Sequence, residues 1–212
     1  YNDEDVLALN HENLWTGINR NRKNYYTDGA LEKVRDMLGN GEYERATLYA
    51  WDHLGRDKAR PEARIDSYQP AGNLHIKFSG SSLKTRCLDI VDGVASCVRI
   101  PKEKDSQGCI TGEFLAHSKA NNIVCRWSGD VNIIASYERE YDNRVKENLT
   151  VCQNKLCYDA KFSGGLAFKV VIKFYTDGEL NSSDDCIKIT KANEVIAVIN
   201  IATEVSGIEE EI

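Results

Sequence analysis

The chain has 212 residues, of which 42% are hydrophobic and 28% charged, a composition typical of a soluble globular protein. Its 27 basic and 33 acidic residues give a net charge of −6, and the basic residues lie among acids, which argues against nucleic-acid binding. No run approaches the roughly 20 apolar residues of a membrane span, and the N-terminus lacks the features of a secretory signal. Because the sequence opens at Tyr1 and not at Met, we expect it to be part of a longer protein.

Seven cysteines are scattered among apolar positions. The odd number favours buried free thiols in a reducing compartment over a secreted disulfide framework, so we expect a cytoplasmic protein. One pair leaves an alternative open. Cys152 and Cys157 face each other, and are placed to form a disulfide, if Asn154 and Lys155 make a two-residue hairpin turn.

A helical hairpin is predicted at residues 28–54. Asp28 is placed to cap the first helix, and Gly39-Asn40-Gly41 supplies its stop. The second helix is expected over 42–54, ending at Gly55. Apolar residues recur at helical spacing in both: Leu31, Val34 and Leu38 in the first, and Tyr43, Ala46, Ala50 and Leu54 in the second.

From residue 73 the hydrophobic period changes to two, which is typical of strands with one buried face. Short apolar segments recur to residue 202, at 94–100, 111–117, 122–127, 130–136, 148–152, 156–162, 166–174, 186–190 and 194–202. Turn signals separate them, among them Ser128-Gly129-Asp130. We therefore predict a large antiparallel β-sandwich (a super-sandwich) carrying the helical hairpin as an insertion. Residues 1–206 form this single domain, and 207–212 are a tail or a severed linker.

No group of residues predicts catalysis, a metal site or a cofactor site within the chain. The histidines at 11, 53, 75 and 117 are dispersed, and Cys-x-x-Cys does not occur. A glycosidase needs two carboxylates about 5–10 Å apart. The candidates by composition are Glu138 with Glu140 and Asp184 with Asp185, and both pairs are typical of a solvated strand edge or turn.

Two segments resemble the family 95 glycoside hydrolases. Residues 7–17, Leu-Ala-Leu-Asn-His-Glu-Asn-Leu-Trp-Thr-Gly, are similar to that family's Leu-Asn-Glu-x-x-Leu-Trp-Ser-Gly segment, and residues 67–74, Ser-Tyr-Gln-Pro-Ala-Gly-Asn-Leu, to its Tyr-Gln-Pro-x-Gly-x-Leu segment. Residues 85–90 resemble its next strand, and looser matches extend the resemblance over about residues 6–204. In this family a strand rich in Gly-Asn-Gly precedes the first motif, whereas here only residues 1–6 do.

The resemblance implies the N-terminal β-sandwich domain of an α-L-fucosidase-like enzyme without its catalytic (α/α)6 barrel. The parent enzyme would cleave α-L-fucosides, or a related α-linked sugar, with inversion of configuration. Its acid and base-activating residues belong to the barrel, so the resemblance implies no catalytic residue here. The expected partners are the barrel of the same parent chain and, through the parent, a carbohydrate substrate.

The segment around the first motif is the candidate functional loop. Asn10, His11, Glu12 and Trp15 would face the barrel or a sugar, since an aromatic on a loop can stack on either. The structural alternative is that Trp15 fills the core and Asn10 ties the loop backbone.

Two rival functions remain open, an independent carbohydrate-binding module and a protein-interaction sandwich. Exposed coplanar aromatics would favour the binding module. A broad apolar patch would favour the supporting lobe of a hydrolase.

Overall fold

The computed structural model describes residues 3–17, 28–54, 67–102 and 108–204. They form two compact units, one of Gly17–Ser67 and the other of Tyr1–Thr16 with Tyr68–Ile212. The predicted tail at 207–212 lies outside the described residues, as does Gly55. No helix within the described ranges is long and apolar enough to cross a membrane.

The smaller unit contains the predicted helical hairpin, with α1 at Ala30–Gly39 and α2 at Tyr43–His53. The stop is confirmed, because Asn40 is the C-cap of α1 and the next residue, Gly41, has a φ of 78°. The predicted cap is wrong. Gly29 occupies the N-cap position in a left-handed conformation, and among the described residues no side chain caps the helix.

The predicted apolar stripes of the two helices are only partly buried. Val34 and Ala46 are buried, whereas Leu38 and Tyr43 are exposed. Two short helices packed together bury only a narrow strip of side chains, so Leu38 and Tyr43, which lie beside that strip, remain exposed.

Within its described residues, the larger unit contains eleven strands, all paired antiparallel, which confirms the predicted β-sandwich class. The strands are β1 (Glu4–Leu9), β2 (Gly72–Phe78), β3 (Ser81–Asp89), β4 (Val94–Pro101), β5 (Ile110–His117), β6 (Asn122–Glu138), β7 (Val145–Cys152), β8 (Lys155–Phe162), β9 (Ala167–Thr176), β10 (Glu179–Ser182) and β11 (Cys186–Thr203).

Two long strands, β6 and β11, take part in both layers of the sandwich. Their halves nearest residues 133 and 187 join β2, β1 and β10 in a small layer of order β1-β2-β6-β11-β10. Their other halves join the large layer, of order β3-β4-β5-β6-β11-β9-β8-β7.

Each long strand passes from one layer to the other at a backbone irregularity. At both places the sequence pattern predicts that a strand ends. Gly129, in the predicted turn, has a φ of 127°, and a Cβ there would collide with the carbonyl of Cys109. In β11 the pairing register shifts around Lys191, which has a φ of 57° and whose N–H donates to Asn132 Oδ1 at 3.0 Å. The predicted separate segments therefore form continuous strands, because one bulge bends each strand without ending it.

The hydrophobic core lies between the two layers. The small layer contributes Leu74 and Ile76, and the large layer contributes Trp127, Val170 and Ile172, all of them fully buried. Burying such a side chain stabilises the fold by about 1.5–3 kcal/mol.

A buried ion pair fastens β1 to the large layer. Arg99 on β4 is 0% exposed, and its Nη2 donates to Asp5 Oδ1 at 2.5 Å. Trp127 Nε1 donates to Asp5 Oδ2 at 3.2 Å, and the guanidinium lies 4.0 Å from the centre of the Phe78 ring. The sequence did not indicate this ion pair, because Glu4 and Asp5 resemble a polar terminus.

The β7–β8 hairpin resolves the alternative left open for its cysteines. Cys152 pairs with Lys155 and Cys157 with Thr150, so the turn is Gln153-Asn154 and the condition for facing cysteines is not met. All seven cysteines lie within the described ranges and are free thiols.

Candidate functional site

The structure brings the two family-like segments together. Strand β1 pairs with β2 up to Leu9 and Gly72, and the contact continues beyond the strands through an isolated bridge between Trp15 and Tyr68. Gln69 N–H donates to the Leu14 carbonyl at 3.0 Å. Glycine is required at 72, since its φ is 117° and a Cβ would collide with the Tyr137 hydroxyl.

Trp15 is an exposed residue of this junction. Its side chain is 39% exposed, its indole Nε1 donates to the Glu12 carbonyl at 2.9 Å, and Leu14 is the residue that fills the core. The alternative that Trp15 fills the core is therefore wrong. The Tyr68 ring meets Trp15 edge to face, with centroids 5.3 Å apart and planes at 74°. Two rings at that angle do not form the coplanar platform expected of a carbohydrate-binding module.

Asn10, His11 and Glu12 begin the loop. Asn10 and Glu12 are exposed, and His11 is buried. The tie to the loop backbone expected of Asn10 is made by its neighbour, because Asn13 N–H donates to His11 Nδ1 at 3.2 Å. Burial lowers the pKa of His11, an effect that the nearby Glu12 carboxylate partly opposes.

Asn10 and His11 also line a shallow cavity of about 240 Å³, which we call the His11 pocket. Its other walls come from the β5–β6 turn and from β11, and its lining residues are Asn10, His11, Ala116, His117, Ser118, Asn121, Asn122, Ile123, Ile199 and Ile201. No sequence pattern indicates this pocket, because His11 and His117 are far apart along the chain.

A separate polar cleft of about 580 Å³ lies at the β6–β7 loop and the Gln69-Pro70 segment. Arg139 Nη2 donates to Gln69 Oε1 at 3.2 Å, and its guanidinium lies 5.4 Å from the centre of the Phe162 ring. This arginine ties β6 to the second family-like segment. The exposed Tyr141 is also part of the cleft lining.

The Asp142 carboxyl does not have the raised pKa of a glycosidase acid. Glu140 and Asp142 both line the polar cleft, but the Arg144 guanidinium, hydrogen-bonded to Asp142, lowers the pKa of that carboxyl to about 2. A general acid requires the opposite shift. Glu138 lies 3.9 Å from His75 Nε2, and Asp184 and Asp185 are exposed.

An apolar groove of about 570 Å³ lies between the edge of β1 and the inner face of β3, β4 and β5. Its apolar lining includes Val6, Leu7, Leu88, Ala95 and Phe114. The hairpin that forms its outer wall ends in Ile90 and Val91, which are 85% and 90% exposed. Such contiguous apolar exposure is characteristic of an interaction surface.

Within the described ranges, no three His, Cys, Asp or Glu residues are grouped so that they could hold a metal ion.

The fold, and the motif segments that meet at its edge, define a β-sandwich domain of the glycoside hydrolase type. The chain belongs to the family described as "Glycosyl hydrolase family 65, N-terminal domain", whose model matches residues 2–207. The resemblance to the N-terminal domain of a glycoside hydrolase is thus confirmed, with a family 65 model where the motifs resemble family 95.

A curated relative, "Alpha-L-fucosidase 2" of Arabidopsis thaliana, is 25% identical over 156 residues. The match covers 68% of this chain and 17% of that protein, so the chain spans less than a fifth of its length. A solved structure, "Putative kojibiose phosphorylase from human microbiome", aligns with 65% of this chain and 24% of its own at 10% identity. Its TM-score is 0.42.

Proposed function

We propose that this chain is the non-catalytic N-terminal lobe of a larger glycoside hydrolase and supports an (α/α)6 catalytic barrel of the same parent chain. The family match over residues 2–207 supports the lobe, and the 17% coverage of the fucosidase relative supports a much longer parent. The α-L-fucoside specificity, with inversion, is supported by the two motif segments and by that relative's name.

The observation that carries the supporting role is the apolar groove beside β3, β4 and β5. Leu88, Ile90 and Val91 are all more than half exposed, although they lie in or beside a regular antiparallel hairpin. Burying exposed aliphatic side chains against a partner stabilises the complex by about 25 cal/mol for each Å² of apolar surface removed from water. The occupant we propose is the remaining polypeptide of the parent hydrolase.

We extend the proposal to the loop that contains Asn10, His11, Glu12 and Trp15. Trp15 and Tyr68 give this loop an exposed aromatic edge, held in place by the Gln69 to Leu14 hydrogen bond. In the parent enzyme the loop faces the mouth of the barrel and contacts the substrate or the barrel wall.

A reducing compartment, the cytoplasm, is part of the same proposal. All seven cysteines are free thiols, and Cys87, Cys109 and Cys152 are exposed, where an oxidising compartment would readily modify them.

The test is to assay this chain beside its full-length parent on aryl α-L-fucosides and a panel of other aryl glycosides. We expect turnover by the parent and none by the chain, because the acid and base of the reaction belong to the barrel. Turnover by the chain that survives repurification, and that is lost on replacing Glu138, Glu140, Asp142, Asp184 or Asp185, would show that the chain is itself catalytic. A genomic reading frame that stops after Ile212 would contradict the lobe assignment.

A further inference from the structure

We infer that the His11 pocket is a binding site for one neutral sugar unit. This inference rests on the proposed function for the class of ligand. The pocket itself is defined by the fold of this chain, so it can be tested without the parent.

The size and walls of the pocket suit a small polyhydroxyl ring. Its volume, about 240 Å³, is below the range of about 300–1,000 Å³ typical of drug-sized ligands. The half-buried Ile123 supplies an aliphatic surface for the C–H face of a ring, and the core residues Ile199 and Ile201 lie behind it. The opposing wall consists of amides, imidazoles and a hydroxyl, the groups that hydrogen-bond to sugar hydroxyls.

The absence of charge in the pocket favours a neutral ligand. Among its described lining residues none is a lysine, arginine, aspartate or glutamate. His11 is neutral near pH 7, because burial lowers its pKa. A phosphate or carboxylate would find no cationic partner here.

The backbone contacts of the two histidines favour a ligand that carries oxygen acceptors. His11 Nδ1 accepts the Asn13 N–H at 3.2 Å, and His117 Nδ1 accepts the Ala120 N–H at 3.0 Å. A neutral imidazole whose Nδ1 is an acceptor has its proton on Nε2. The Asn121 side chain takes the Nε2–H of His11, so His117 is the ring that keeps an Nε2 N–H for a ligand hydroxyl or ring oxygen.

One asparagine adds a directional group to this set. Asn121 Nδ2 lies 3.4 Å from His11 Nε2, and because the His11 tautomer makes Nε2 a donor, the opposite amide orientation, in which Oδ1 accepts from Nε2, satisfies the pair. The NH2 group of Asn121 then becomes a donor at the pocket rim.

The experiment is a ¹H–¹⁵N NMR titration of this chain with methyl α-L-fucopyranoside, methyl α-D-glucopyranoside and methyl β-D-galactopyranoside. We expect saturable shifts for at least one glycoside at the backbone amides of residues 10–11 and 117–122. His117→Ala alters an exposed side chain, and Asn121→Gly removes an exposed amide at a position whose φ of 50° glycine adopts without strain, so both variants should fold. Each should weaken binding about fivefold, the effect of losing one neutral hydrogen bond. Asn143→Ala, an exposed asparagine of the polar cleft, is the matched control and should leave binding within twofold of wild type.

Three results would overturn the inference: no saturable shift with any of the three glycosides, shifts confined to Trp15, Tyr68 or the polar cleft, or Zn²⁺ binding that is lost in His117→Ala. The outcome is separable from that of the proposed function. Failure of the titration beside an active parent removes the sugar site alone, whereas binding here beside a parent that is no hydrolase removes the proposed function alone.

Discussion

The two ends of one row of side chains show how differently the large layer is covered. The pairing register places Leu88, Ala95, Phe114, Cys125, Ala197 and Phe174 side by side on its inner face, across six strands. Phe174 and Cys125 are buried, whereas Leu88 is 64% exposed. The pairing is continuous at both ends of the row, over Thr85–Asp89 in β3 and along β9, so the difference arises from what lies on top of the strands. The small layer lies over the β9 end of the row. It ends at its edge strand β1, so it does not extend over the β3 end.

The buried ion pair lies where coverage stops. Asp5 belongs to the edge strand of the small layer, and its partner Arg99 lies on β4, within the open end of the large layer. A charge pair can lie at such a boundary because Trp127 and the Phe78 ring satisfy and enclose it. Covered and open ends are therefore separated by a specific polar contact.

Substitution at the two ends of the row should have very different effects. Phe174→Ala removes a buried aromatic ring and should lower the free energy of unfolding by about 4 kcal/mol. Leu88→Ala, at the open end, should change it by less than about 0.5 kcal/mol. Urea unfolding followed by circular dichroism measures both. Equal losses would mean that the open end is already covered in the chain alone.

Removing the arginine at the boundary should be the next largest effect. Arg99→Met leaves the Asp5 carboxylate buried without its cation and should cost about 3 kcal/mol. Lys102→Met is the control, since Lys102 pairs with Asp3 on the surface at 2.9 Å and should contribute less than about 1 kcal/mol. If the two variants unfold at the same urea concentration, β1 is not fastened by the buried pair.

Acid should destabilise the fold, because His11 is buried. Burial lowers the pKa of His11 below its value of 6.5 in the unfolded chain, so the unfolded state binds the proton more readily. Stability should therefore decrease as the pH falls below about 6.5. His11→Gln should flatten this slope between about pH 7 and pH 5. Identical slopes in wild type and His11→Gln would remove His11 as the cause.

The smallest expected effect is that of reductant on the number of free thiols, which should not change. The denatured protein should titrate with seven thiols per chain whether or not reductant was present during purification. A titre of five without reductant would indicate one disulfide, and mass spectrometry of the tryptic peptides would identify the pair.

The sequence sufficed for features that depend on local pattern. Alternation such as that of Leu74, Ile76 and Phe78 predicts strands, and Gly39-Asn40-Gly41 predicts the end of α1, because both are set by neighbouring residues. The family-like segments at 7–17 and 67–74 also located the candidate loop, although nothing in them showed that the two segments pair with each other.

Features that depend on distant contacts could not be predicted. Gly129 and Lys191 look like breaks, and only pairing with neighbouring strands makes them bulges within continuous strands. Asp5 looks like a solvated acid until Arg99 is placed against it. The His11 pocket and the apolar groove arise where separate strands meet, so periodicity along the chain carries no trace of them.

The central claim, that the open end of the large layer is covered by the rest of a parent hydrolase, can be tested most directly by hydrogen–deuterium exchange. Amide exchange is measured by mass spectrometry in this chain and in the full-length parent, with the polar β10–β11 turn at Ser183 as the internal control. We predict that exchange in residues 86–96 slows at least about tenfold in the parent while the control turn is unchanged, because buried amides open less often. Equal exchange of residues 86–96 in the two proteins would contradict the account.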